Sequence, residues 1–281
     1  MNKTKSAVLL CATLLAGLIP STRAQTPTTA APTAPAAPAA PAAAAAPAAP
    51  SASVVFTPSV VTQYMFRGVR LGGPAFEPSL EYDYGNLALG VWANTPISDK
   101  VPNQSDPEID PYGSYTFSVN DNFSIAPGFT LYTYPRTDIS QGFYRATFEP
   151  NLAVNYTVGA VKFTPKVYYD VILKGPTYEL TAAFTVPLKD LGSELDFTAI
   201  GGAYKWTDAA RNASPSLTNY GDYCLVGVSL PFQITKESKL ALGYAYTKGT
   251  GNYYKQSGSP KSLNTAAVGR GVAALTYTYT F

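Results

Sequence analysis

Ionisable side chains recur at alternate positions in segments whose intervening positions are apolar. Lys162, Lys166 and Asp170 alternate with Val161, Phe163, Val167 and Val171. Glu77 and Glu81 alternate with Phe76, Leu80 and Tyr82, and Glu108 and Asp110 flank Ile109. Arg145 and Glu149 sit beside Tyr144 and Phe148, while Arg67, Glu179 and Arg270 stand in segments of the same kind. The chain contains no histidine. A Ser–His nucleophile pair, a hydrolase built from acids and a histidine, and a histidine-ligated metal are therefore excluded. A pair of carboxylates can hydrolyse glycosides unaided, but nothing singles out one such pair. No catalytic residue, no cofactor and no metal is expected. What these residues can do is line a watery passage and set the field that a passing ion feels. The alternative is a salt-bridged, partly closed interior.

Such alternation belongs to β-strands, because successive side chains leave a pleated backbone on opposite faces. Twelve strands are expected, at about 54–67, 75–84, 87–95, 108–119, 123–134, 142–157, 160–173, 177–188, 194–206, 218–234 and 239–248, with the last ending at Phe281. No stretch after Ser53 has sustained helical periodicity. Gly85-Asn86, Asn120-Asp121-Asn122 and Val158-Gly159 mark tight turns. Every second connection tends to be short, the asymmetry of a transmembrane barrel. The fold class expected is all-β, an antiparallel up-and-down transmembrane barrel closed by pairing the last strand with the first. In hydrocarbon an open sheet edge would leave backbone N–H and C=O groups unpaired at several kcal/mol each. Twelve strands give a backbone diameter of roughly 25 Å and an opening of about 10 Å or less.

Turn positions also suggest partners. A turn centred near Gly72 sets Arg67 opposite Glu77 and Gln63 opposite Glu81. A turn at Lys174-Gly175 sets Asp170 opposite Glu179, with Arg145 diagonally close. Either these three form a cluster or the two acids are simply solvated in the mouth. Trp92 falls on the inward face, where it would stack on a sugar or plug the lumen, unless a bulge turns it out to the aromatic girdle. On the last strand Leu275, Tyr277, Tyr279 and Phe281 face lipid, and Thr276, Thr278 and Thr280 face the lumen.

Composition agrees with this class. Apolar residues make up 46% of the 281 residues and charged residues 14%, against roughly 25% charged in an ordinary soluble domain. Residues 1–24 read as a secretory signal: Lys3 and Lys5, an apolar run from Ala7 to Ile19, then Thr22-Arg23-Ala24 before the cut. Removing Lys3, Lys5 and Arg23 turns 20 basic and 18 acidic residues into 17 and 18. The mature chain is near neutral and lacks the concentrated basic face that nucleic acid demands. Cys224 is the one cysteine left, so no internal disulfide forms. Residues 25–52 are Ala, Pro and Thr almost throughout. They form either a plain disordered spacer or a periplasmic tether reaching the cell wall, up to roughly 85 Å if fully stretched. The barrel occupies residues 53–281.

Five short motifs occur in order: Tyr64-Met65-Phe66-Arg67-Gly68-Val69, Gly73-Pro74-Ala75, Leu89-Gly90-Val91-Trp92, Glu108-Ile109-Asp110-Pro111-Tyr112-Gly113 and Leu131-Tyr132-Thr133-Tyr134-Pro135. Together they resemble the TorF family of outer-membrane porins, best over residues 55–180. The resemblance implies a pore but supplies no substrate. It implies an outer-membrane site in a Gram-negative bacterium. The even strand count puts both barrel ends on the side of the short turns, so the tether and the C-terminus are expected in the periplasm. The implied partners are outer-membrane lipid and lipopolysaccharide and the barrel-assembly machinery reading Tyr277, Tyr279 and Phe281. The linker, which is no part of the resemblance, adds peptidoglycan as a partner if it acts as a tether. The oligomeric state is left open.

Overall fold

In the computed structural model, the described residues are 51–98, 106–137, 139, 144–206, 219–251 and 269–281. The signal and nearly all of the linker expected from the sequence lie outside them. The described strands are β1 (Ala52–Val61), β2 (Tyr64–Phe66), β3 (Val69–Gly72), β4 (Ala75–Tyr84), β5 (Leu87–Pro96), β6 (Glu108–Tyr115), β7 (Phe117–Asn120) and β8 (Phe123–Thr133). They continue with β9 (Ala146–Val158), β10 (Val161–Asp170), β11 (Gly175–Leu188), β12 (Ser193–Trp206), β13 (Asn219–Gln233), β14 (Ser238–Gly251) and β15 (Arg270–Thr280).

Apart from β2 and β3, all belong to one sheet in the order β6-β5-β4-β1-β15-β14-β13-β12-β11-β10-β9-β8-β7, and β6 also pairs with β8. β6 and β7 are two halves of one wall strand, both running along β8. The described residues thus form a closed antiparallel barrel of twelve wall strands. Closure between first and last is direct: Val55 faces Thr280, Phe56 faces Tyr279 and Val60 faces Leu275. The Phe281 amide adds a bond to the Val54 carbonyl at 2.9 Å. No helix among the described residues is long and apolar enough to cross a membrane, which says nothing of strands.

At one end, the connections after β4, β7, β9, β11 and β13 are two to four residues long. At the other, those after β5, β8, β12 and β14 run from 11 to 18 residues, and that after β10 has four. Alternation places large apolar side chains on the outer wall, among them Phe56, Val60, Leu80, Tyr156, Val167, Phe184, Leu242, Tyr244 and Leu275, all exposed. A water-soluble sheet would bury such a belt, because exposed apolar patches of this extent are rare on soluble proteins. A bilayer covers it, and closure leaves no sheet edge in the hydrocarbon.

The first strand departs from the sequence expectation. Pairing with the wall stops at Val61, and the chain turns inward instead of continuing to Arg67. Val61 lies directly opposite Ala75, so the barrel needs none of the intervening 13 residues to join β1 to β4. Those residues form the separate β2–β3 hairpin. Its root is held on both sides: Thr62 N donates to Ala273 O at 3.0 Å, and Ile97 N donates to Pro74 O at 2.7 Å.

Candidate functional site in the barrel lumen

The site is built around Arg67-Gly68, the two-residue turn between Phe66 and Val69. Both have positive φ, 47° and 75°. This is the backbone a tight hairpin with matched twist requires. Glycine reaches it freely, whereas arginine is strained there. Gly68 has a second constraint. A Cβ at this position would overlap the backbone of Lys248 and Gly249 on β14. The hairpin tip therefore rests backbone to backbone on the wall, and neither glycine leaves room for a side chain.

Arg67 is 3% exposed and Glu149 is fully buried. Arg67 Nη1 and Nη2 donate to the two carboxylate oxygens of Glu149 at 2.8 and 2.7 Å. Tyr132 Oη donates to the same carboxylate at 3.0 Å. Aromatic rings surround the guanidinium: Phe66 at 4.7 Å, Tyr168 at 4.9 Å and Trp206 at 5.8 Å from their centroids. A planar, weakly hydrated cation with bidentate geometry suits such a setting, and a lysine would not reproduce it. The β9 wall and the hairpin tip are thereby joined through the barrel interior.

Apolar packing fills the space beside this pair. Tyr64, Val69 and Leu71 of the hairpin pack with Val61, Trp92, Val272 and Ala274 of the wall. Phe66 reaches the Ile200, Tyr204, Trp206, Tyr223 cluster on β12 and β13. The result is a buried ring. Ser59, Glu77, Asn94, Glu108, Asp110, Tyr132, Glu149, Asp170, Thr177, Tyr204, Trp206, Tyr223, Thr247 and Val272 are all buried. These represent every wall strand. In an open passage about 10 Å wide, water would reach them. At this level side chains from all twelve wall strands are withdrawn from solvent.

Behind the hairpin lies an acidic patch. Glu77, Glu108 and Asp110 are each buried, and their hydrogen-bond donors are neutral. Asn94 Nδ2 donates to Glu77 at 3.0 Å, Tyr64 Oη to Glu108 at 2.7 Å and the Thr133 amide to Asp110 at 3.0 Å. Tyr64 thus ties the hairpin to the β6 wall. Among the described residues no group of three or more acids or thiols is placed to hold a metal ion.

The remaining residues singled out from the sequence are placed as follows. Trp92 is buried and inward, its ring 5.8 Å from that of Tyr64. Glu81 is half-buried and pairs across β4 and β1 with Val55. Lys166 Nζ lies 4.6 Å from the Tyr168 ring centroid. Glu179 accepts from Tyr168 Oη at 3.1 Å and Tyr223 Oη at 3.0 Å. Lys162 is exposed at the short-turn end of β10. Arg270 begins β15, half-buried, opposite Thr247. Leu275 and Phe281 are exposed on the outer face, and Phe281 meets Tyr279 edge-on at 4.7 Å. Tyr277 pairs with Leu240 on the neighbouring strand.

Three expectations about partners are corrected. Glu77 faces Ser59 and Glu81 faces Val55, not Arg67 and Gln63, because the inserted hairpin removes its residues from the wall register. Glu179 faces Lys166, and Asp170 faces Gly175, because the turn is centred on Ile172-Leu173 and not on Lys174-Gly175. The Arg145–Asp170–Glu179 cluster does not form. Arg145 is exposed and its Nε donates to Thr137 O at 3.2 Å. Asp170 instead accepts from Thr147 Oγ1 at 2.5 Å and from the Ile172 and Leu173 amides at 2.9 and 2.7 Å, closing its own turn. The roles of Glu149, Phe66, Tyr168 and Trp206 as partners of Arg67, and of Tyr132 as a donor to Glu149, do not follow from the sequence pattern. The one local signal is Arg67-Gly68 between two alternating stretches, a hairpin pattern.

Residues 42–175 match the model of a family described as bacterial proteins of unknown function (Gcw_chp). No curated protein sequence matches the chain. Among solved structures, the chain is similar to the NanC porin in a rhombohedral crystal form, at 10% identity and a TM-score of 0.48, covering 80% of this chain and 98% of that one. It is also similar to the KdgM porin in complex with disordered oligogalacturonate, at 12% identity and a TM-score of 0.49, covering 82% and 99%. A third is an outer membrane channel from Pseudomonas putida F1, at 12% identity and a TM-score of 0.40, covering 84% and 97%.

Proposed function

We propose that this chain is an outer-membrane pore for passive diffusion of small hydrophilic solutes or ions. One observation carries the reading: a closed twelve-strand barrel with an apolar exterior and charged side chains on its inner wall. An apolar outside fits lipid, and ionic groups inside fit water. Pore-lining roles are assigned to Glu77, Glu81, Glu108, Asp110, Glu149, Lys162, Lys166, Glu179 and Arg270, with Arg67 at the constriction. The short-turn end, which carries both β1's start and Phe281, is assigned to the periplasm, and the linker to a tether there. Tyr277, Tyr279 and Phe281 are assigned to recognition by the assembly machinery. The test is conductance of the refolded, heat-modifiable barrel in planar bilayers.

A second reading is a closed structural or adhesive barrel. The packed ring around Arg67 favours it. The two readings part on whether any current passes through an intact barrel.

A further inference from the structure

We propose that the Tyr64–Gly72 hairpin is a gate, with Arg67 as its bolt in Glu149 and Gly68 as its foot on Gly249. The inference rests on the pore reading and names how that pore is regulated.

Four features point to a movable element rather than a fixed part of the wall. The hairpin contributes nothing to closure of the barrel, since Val61 and Ala75 are already paired. It is joined at Thr62 and at Gly73-Pro74, so it can swing as a unit about two adjacent strand ends. Its seat is specific: a bidentate ion pair with β9, four strands from the β4 side of its root, and a glycine-on-glycine contact with β14, two strands from the β1 side. Finally, the wall it covers suits water. Glu77, Glu108 and Asp110 are buried with neutral partners. Among the described residues, Trp92 Nε1, beside Tyr64, and Arg67 Nε are buried without a hydrogen-bond partner. Buried carboxylates and unsatisfied donors disfavour the closed state, and water entering behind a displaced hairpin would satisfy all of them. Apolar packing of Tyr64, Phe66, Val69 and Leu71 favours the closed state. Opposed contributions of this kind give an element two arrangements.

Opening breaks no hydrogen bond between wall strands. Arg67 leaves Glu149, Tyr64 leaves Glu108, the tip leaves Gly249, and the charged wall hydrates. The guanidinium and the Glu149 carboxylate then both face the passage.

The test replaces residues 62–74 by Asn-Gly, a two-residue turn that fits between the paired Val61 and Ala75. Full-length and shortened proteins are refolded, checked for heat-modifiable mobility, and recorded as single channels. The shortened barrel should conduct at least about tenfold more than the time-averaged full-length protein, as a lumen about 10 Å wide would. The full-length protein should show brief openings approaching that level. Gly249→Leu, which keeps the hairpin but occupies its seat, should lengthen those openings. Equal steady conductance of both barrels would overturn the gate and leave the pore. Current through the shortened barrel with no openings of the full-length one would make the hairpin a fixed plug and overturn the gate. No current through either intact barrel would overturn the pore reading itself.

Discussion

Glu149→Gln isolates the electrostatic part of the hairpin's seat. The substitution keeps the shape of the side chain and removes the charge that two guanidinium nitrogens contact at 2.8 and 2.7 Å. Both partners are almost completely buried, so solvent does not screen the pair. Removing one member of a buried ion pair costs about 3–5 kcal/mol, because the other charge is left without compensation. The amide that replaces the carboxylate can still accept one bond from Arg67, and the aromatic rings continue to stabilise the cation, so the lower end applies. About 3 kcal/mol corresponds to roughly a hundredfold loss of the docked hairpin relative to the undocked one. Single-channel recording should show this as a large rise in open probability with no change in heat-modifiable mobility. Arg67→Met should act in the same direction, since it leaves the Glu149 carboxylate with Tyr132 alone. The double variant Arg67→Met/Glu149→Met should reverse much of the effect, because an apolar pair of similar volume is often as stable as the ion pair it replaces. The coupling between the two sites should therefore be large. If Glu149→Gln records like the parent, or if the two single substitutions simply add, the pair does not hold the hairpin and the reasoning fails.

Three further outcomes follow from the same structure. Gly68→Ala should release the tip, since it meets both a positive φ and the Gly249 backbone. Gly159→Ala, at φ 59° with open space around it, should cost only about 1 kcal/mol of barrel stability in denaturant titration. Equal effects at both sites would show that the Gly68 contact does not matter. Leu242→Arg, on the exposed outer face of β14, should destabilise the lipid-embedded barrel by about 2–4 kcal/mol if it lies near the bilayer midplane. The readout is an unfolding titration in liposomes, and unchanged stability would take that face out of the bilayer. In the barrel shortened at 62–74, Lys166→Glu should shift the reversal potential towards cation preference, whereas an unchanged potential would place Lys166 outside the conduction path.

The wall is legible in the sequence because its information is local. Alternation from Ala75 to Tyr84 reproduces β4 to the residue, and the number of wall strands follows from the turns. Even the errors in register leave the facing of side chains intact. The partner expected for Glu77 lies eight residues from its true one on the first strand, and that expected for Glu179 lies four residues away on β10. A shift by an even number keeps every side chain on its own face. What the shift loses is charge complementarity: Asp170 against Glu179 places two acids together, where the structure sets Lys166 opposite Glu179.

The hairpin is illegible for a related reason. Tyr64 and Phe66 share the parity of Phe56 and Val60, and Gln63 and Arg67 that of Thr57 and Ser59, so the period of two resumes past Thr62 and carries the strand reading to Arg67. Alternation reports that a segment is extended, but not which sheet it joins. What separates the two cases is pairing: Val61 meets Ala75 on the next wall strand, a contact that alternation alone does not select, and Arg67 finds Glu149, 82 residues further along the chain. No local window contains the second contact. The strained φ at Arg67 is also visible only once the chain is folded. It is sustained by the bidentate pair and the rings around it, and it fixes the direction in which the guanidinium leaves the turn. The residue that reads from sequence as one more charge on a pore wall is thus the one that joins the hairpin tip to the opposite wall through Glu149.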